Sequence, residues 1–145
     1  MKTIHQISLF LENKPGHLNA ICRALSDSDI NIVTLSLADT QQFGIVRLIV
    51  KEWEKAKQVL EKAGHIVNVR EVVAVAVPDK PGGMGLTLDI ISAAGVNIEY
   101  MYAFTMRCNA EAVLIFRFDD CSRAIEALAK AGRKVLDSET LFTQI

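Results

Sequence analysis

Cysteine is scarce and badly placed for chemistry. The chain has three, Cys22, Cys108 and Cys121, widely spaced and with no C-x-x-C pair. An odd number without close spacing excludes a disulfide framework and argues against a zinc site or a copper-carrying loop. Long apolar runs are missing too. The longest, Val72 to Val77 and on to Pro78, is far too short to cross a bilayer, and the opening Met1 to Gln6 lacks the apolar core of a signal peptide. Charge of one sign is also lacking: the net charge is −1, with acids and bases interspersed, whereas nucleic-acid binders carry a basic face. These absences point to a soluble, reduced, cytoplasmic protein with no membrane or nucleic-acid partner. What the chain does have is apolar residues, half of its 145, with under a quarter charged. That supports a packed core in one ordinary domain or two very small ones.

Taken in order, Gln6 to Glu12 alternates Ile7, Leu9 and Leu11 against Ser8 and Phe10, a strand pattern. Pro15 suits a first helical turn. Leu18, Ile21, Cys22 and Leu25 then share one apolar helix face, and Ser26 to Asp29 ends it. Ile30 to Ala38 is β-branched and strand-like, Asp39 to Gln42 reads as a turn, and Gly44 to Val50 as a third strand. Trp53, Ala56, Leu60 and Ala63 form a second helix face, closed by Gly64. Ile66 to Val77 is extended again.

The second half repeats this plan. At an offset of 66, Lys14-Pro15-Gly16 matches Lys80-Pro81-Gly82, Ser26 matches Ser92, and Asn31-Ile32 matches Asn97-Ile98. Past the hairpin the offset is 68, matching Ala56, Leu60 and Ala63-Gly64 with Ala124, Leu128 and Ala131-Gly132. The two extra residues are expected near Met106 to Ala110, a hairpin tip where insertion costs little. The chain is thus a duplication, with units over residues 1–70 and 71–145. Each reads β-α-β-β-α-β, an α+β ferredoxin-like fold with an antiparallel sheet and two helices on one face. Ile66 to Val77 must supply a strand to both units without a turn between them. Either one long strand is shared, or strands are exchanged and Glu139 to Gln144 completes the other unit's sheet.

Each unit breaks from strand to helix at a Pro-Gly: Asn13-Lys14-Pro15-Gly16-His17-Leu18 and Asp79-Lys80-Pro81-Gly82-Gly83-Met84. Free backbone N–H groups at such a helix start form a natural anion site. Glycines there let a ligand approach the backbone.

The motif N/D-K-P-G-x-(L/M), followed by a helix and by Asn-Ile opening the next strand, resembles the ACT domain, here as a tandem pair over nearly the whole chain. The resemblance implies regulatory modules that bind small ligands, usually amino acids, at an interface between two units set side by side. Carried over, one site comprises Asn13, Gly16, His17 and Leu18 with Asn97 and Ile98. The other comprises Asp79, Gly82, Gly83 and Met84 with Asn31 and Ile32. It also implies a homodimer, a regulated enzyme as partner, and no cofactor or metal. Asp79 carries a charge that Asn13 lacks, so its loop is expected to hold an ammonium more tightly.

Plainer readings stand beside these. Pro-Gly can be a mere turn, His17 a solvated first-turn residue, and the Asn-Ile pairs simple strand openings. His5 and His65 have no metal-ligand neighbours and read as structural. Cys121 begins a helix, where a thiol pKa can fall, but Asp119 and Asp120 oppose that, and its alignment with Trp53 makes it core. The rivals to an amino-acid-binding regulator are a dimerisation module without ligand, favoured if Val73, Val75 and Val77 lie on an open sheet face, and a small enzyme such as an acylphosphatase. The latter needs an arginine in the first loop, where only Lys14 and Lys80 are basic. An RNA-recognition sheet needs exposed aromatics, but Ile45 to Val50 and Val113 to Phe118 are aliphatic-rich.

Overall fold

The β-α-β-β-α-β order is present twice in the computed structural model, which describes residues 2–40, 42–108 and 110–143. The elements are β1 (Ile4–Glu12), α1 (His17–Asp27), β2 (Ile32–Thr40), β3 (Phe43–Val50), α2 (Trp53–Lys62), β4 (Val67–Pro78), α3 (Gly83–Ala93), β5 (Ile98–Cys108), β6 (Glu111–Phe118), α4 (Cys121–Lys130), β7 (Lys134–Leu136) and α5 (Ser138–Thr143). The chain divides into two compact units, His5–Arg70 and Glu71–Ile145 with Met1–Ile4. Gln41, Asn109 and Gln144, and the Cys108 side chain, lie outside the described residues, so expectations that involve them end there.

Strand order is the same in both units: β2-β3-β1-β4 in the first and β5-β6-β4-β7 in the second. β4 runs unbroken for 12 residues; it ends the first order and lies between β6 and β7 in the second. Of the two options, the shared strand is realised. The exchange is not: β7 pairs with β4 of its own unit, Val75 opposite Val135, and the stretch read as an exchanged strand is helical. The cause is local. Asp137 caps α5, its carboxylate accepting from the Thr140 N–H at 2.7 Å, so the backbone donors that a strand would pair are turned into a helical turn.

Register carries the duplication into three dimensions. Leu9 pairs with Val46 as Val75 pairs with Leu114, and Leu35 with Leu48 as Met101 with Phe116. Even the bulge recurs, between Ile32 and Thr34 and between Ile98 and Tyr100. The two-residue insertion is not at the hairpin tip, where it was expected. Thr40 opposite Phe43 and Cys108 opposite Glu111 leave equal tips, while β5 spends four steps from Ala103 to Arg107 against two on β6. The insertion is an irregularity inside a strand, which bends it without lengthening the turn.

The cores match position by position. Ile7, Leu9, Leu25, Val46, Leu48, Ala56 and Leu60 in the first unit correspond to Val73, Val75, Ile91, Leu114, Phe116, Ala124 and Leu128 in the second. Val73, Val75 and Val77 are therefore core residues, not an open sheet face. One match is polar: Ile21 gives way to buried Thr87, whose hydroxyl donates to the Gly83 carbonyl at 3.2 Å. That bond satisfies the group one turn back.

Helices α1 to α4 close in the same way. The N–H two residues past the cap returns to the carbonyl five residues earlier: Ile30 to Leu25, His65 to Leu60, Val96 to Ile91 and Arg133 to Leu128. This closure puts one residue in left-handed backbone. Gly64, Gly95 and Gly132 take it in three helices, and Asp29 (φ 58°) takes it in α1.

Candidate functional site

The two Pro-Gly loops fold alike. Gly16 (φ 87°) and Gly82 (φ 85°) sit at the caps of α1 and α3 in left-handed backbone, and neither helix start has a side-chain cap or an acid in its first turn. The other two long helices differ. Glu54 lies in the first turn of α2, and the Asp120 carboxylate caps α4 by accepting from the Arg123 N–H at 3.0 Å. A carboxylate already meets the positive end of α2 and of α4; the ends of α1 and α3 meet none.

Around the first loop, the Asn13 N–H donates to the Gln42 carbonyl at 3.0 Å and ties the loop to the β2–β3 hairpin. Lys14 pairs with Glu12 at 2.8 Å. The lysine's hydrogen bond and charge hold the Glu12 carboxyl below its usual range, and the reverse pull lifts Lys14 above its own. Leu18 packs against the first core. His17 is half-buried and, with Phe10, Glu12, Ala20, Ala63 and His65, borders a cleft of about 410 Å³.

In the second loop, Asp79 pairs with Arg107 of β5, so an incoming ammonium must share that carboxylate. Met84 packs against the second core. Gly83 is needed for packing: a Cβ there would lie 2.1 Å from the Pro78 carbonyl oxygen. A Cβ at Gly16 or Gly82 would meet nothing within 4 Å, so no protein atom crowds these two glycines and their left-handed φ is what the fold asks of them.

The Asn-Ile strand openings have different surroundings. Asn97 is held by a reciprocal pair: its N–H donates to the Asp119 carboxylate at 2.9 Å, and its carbonyl accepts from the Asp119 N–H at 3.1 Å. Ile98 packs against the second core. Asn31 and Ile32 border a polar cleft of about 450 Å³ with Asn19, Cys22, Arg23 and Asp27 of α1. Cys22 thus lines a cleft instead of joining the buried face of Ile21 and Leu25. The α1 side of the cleft is the helix's polar stripe at 19, 22–23 and 26–27.

His5 stacks on Trp53 with ring centroids 4.5 Å apart, a structural role. The matching pair in the second unit is Glu71 and Cys121, whose thiol lies 3.8 Å from the Glu71 carbonyl oxygen beside the second core. Among the described residues, no group of three His, Cys, Asp or Glu side chains is placed to hold a metal. No helix among them is long and apolar enough to cross a membrane.

A family model described as an ACT domain pair matches residues 2–145. Among solved structures, protein BT0572 of Bacteroides thetaiotaomicron superposes with a TM-score of 0.90 at 35% identity, over 97% of this chain and 96% of that one. The ligand-free regulatory subunit of aspartate kinase from Thermus thermophilus gives 0.64 at 18% identity, over 88% and 91%. The subunit from Thermus flavus gives 0.62 at 18%, over 88% and 91%. The likeness to the two Thermus subunits is one of fold. No curated protein matches.

Proposed function

The chain belongs to the family of ACT domain pairs, and we propose that it is a regulatory protein that binds free amino acids at its two strand-to-helix loops. One observation carries this reading. Of the four long helices, the two that begin at Pro-Gly are the two whose positive ends meet neither a cap nor an acid. An α-carboxylate supplies the missing negative charge. Asn13 in the first loop and Asp79 in the second then accept from the ammonium. The role is regulatory rather than catalytic. Occupancy acts on an enzyme partner or on the protein's own homodimer in the cytoplasm, to the extent that the ligand prefers one assembled state.

A thermal-shift screen against the twenty amino acids tests this. A ligand at about a hundred times its dissociation constant stabilises the fold by roughly 2.7 kcal/mol, a shift of about 5–10 °C for a chain of this size. The shift should shrink in Asn13→Ala and Asp79→Ala. Silence across the panel leaves the ligand-free dimerisation module as the better reading.

A further inference from the structure

The first unit leaves apolar side chains in the open where the second does not. Six large ones are exposed among the described residues, and five of them, Phe10, Leu35, Leu37, Phe43 and Ile66, belong to the unit His5–Arg70. At the offsets of the duplication their counterparts are Ala76, Met101, Ala103, Glu111 and Lys134. Ala76 is buried and Met101 packs against the second core. The second unit has thus covered, shortened or charged each of these positions.

The contrast is strongest at the outer strands, β2 in the first order and β5 in the second. β5 carries Glu99 and Arg107, each in an ion pair, and a register irregularity before Arg107. Charges and bulges are the usual guards of an open strand edge. β2 has no charged residue from Ile32 to Ala38, and its register is regular from Thr34 to Thr40. Leu35 and Leu37 stand on its core side. Ile7, Leu48 and Leu35 form one row across three strands, and Leu9, Val46 and Leu37 form the next. The first two members of each row are fully buried, whereas Leu35 is 39% and Leu37 49% exposed. The core of this unit runs out to an open edge.

We propose that a second copy of this chain covers that edge, with β2 antiparallel to β2 about a two-fold axis at Ser36. The stretch Thr34-Leu35-Ser36-Leu37-Ala38 is self-complementary there: Leu35 falls opposite Leu37 of the second copy, and Leu37 opposite its Leu35. Charge selects this occupant. A two-fold axis sets each patch against itself, and this stretch has no charge to repel its own copy. The buried rows of the two copies then run into each other, and the outer backbone edge of β2 gains a ladder. Growth stops at two, because the β5 edge is guarded. The inference rests on the homodimer of the reading above and assigns the surface that forms it, with no ligand required.

The test is sedimentation equilibrium of the full chain without ligand. The parent should sediment near twice its 16.0 kDa. Leu35→Lys/Leu37→Lys should raise the dimer dissociation constant by about a hundredfold or more, since lysines then face lysines across the axis. Ser36→Cys should form a disulfide-linked dimer under mild oxidation, because paired strands bring opposite Cα atoms to about 4.5–5.5 Å, within disulfide reach. Ala103→Cys, on the guarded β5, should crosslink no faster than the parent with its own cysteines. A dimer that survives the lysine pair, or crosslinks no faster at Ser36→Cys than at Ala103→Cys, overturns the inference but leaves a homodimer through another surface. A monomeric parent overturns both the inference and the homodimer, and gives the edge to a chain of different sequence. Amino-acid binding, read by thermal shift, is untouched by either result.

Discussion

Single residues decide how each loop is built. Gly82→Ala forces a Cβ into left-handed backbone and should cost about 1–2 kcal/mol; its surroundings are open. Gly83→Ala should cost more, because there the obstacle is the Pro78 carbonyl and the strand end must move. Urea unfolding of the two variants separates these effects; equal losses would mean that the helix start yields more easily than the packing implies. Asp29 offers the opposite case. It alone takes the left-handed closure without being glycine, so Asp29→Gly should stabilise the protein by about 1 kcal/mol. At the second loop Arg107 competes for Asp79. Arg107→Ala should therefore strengthen amino-acid binding there and Asp79→Asn weaken it, each by about tenfold in a calorimetric titration. Weaker binding in Arg107→Ala would make the arginine a carboxylate contact instead.

At the scale of elements, caps sort the helices by task. Asp120 holds the start of α4, and Asp120→Ala should lower stability by about 1 kcal/mol. Asp137 does the same for α5. The Thr140 N–H holds its carboxyl below the usual aspartate range. A lowered folded-state pKa gives stability that is present above the ordinary aspartate value and lost as pH falls through the lowered one. Parent and Asp137→Ala should differ most near neutral pH and converge in acid; a gap that widens below about pH 4 would contradict this. These elements also mark what sequence could reveal. The long helices and their closures were legible because Leu18, Ile21 and Leu25, and likewise Trp53, Ala56 and Leu60, recur at helical spacing and glycines punctuate three of the four ends. α5 was not: its Ser-Glu-Thr-Leu-Phe-Thr run is too short to show a helical period, and only the Asp137 cap, three residues before Thr140, gives it away. The insertion in β5 was misplaced because alignment finds extra residues but cannot tell a bulge from a longer turn.

For the whole molecule, the shared strand is the main consequence of duplication. Because β4 belongs to both strand orders, the two units should unfold together. Trp53, the only tryptophan, lies in the first unit. Its fluorescence should therefore trace the same urea transition as far-UV circular dichroism of the whole chain; two separated midpoints would show independent units. Core pairing at offsets of 66 and 68 was readable in advance because buried positions tolerate little drift in size. Ligand contacts were less so, since Asn31 and Asn97 share a sequence yet meet different neighbours. The central claim, that free amino acids are received at the uncapped starts of α1 and α3, is tested most directly by following backbone amide resonances during titration with the amino acid that gives the largest thermal shift. Large, saturable shifts are expected at the amides of Gly16 to Asn19, of Gly82 to Gly85, or of both. Saturable binding that leaves both helix starts unmoved would contradict it.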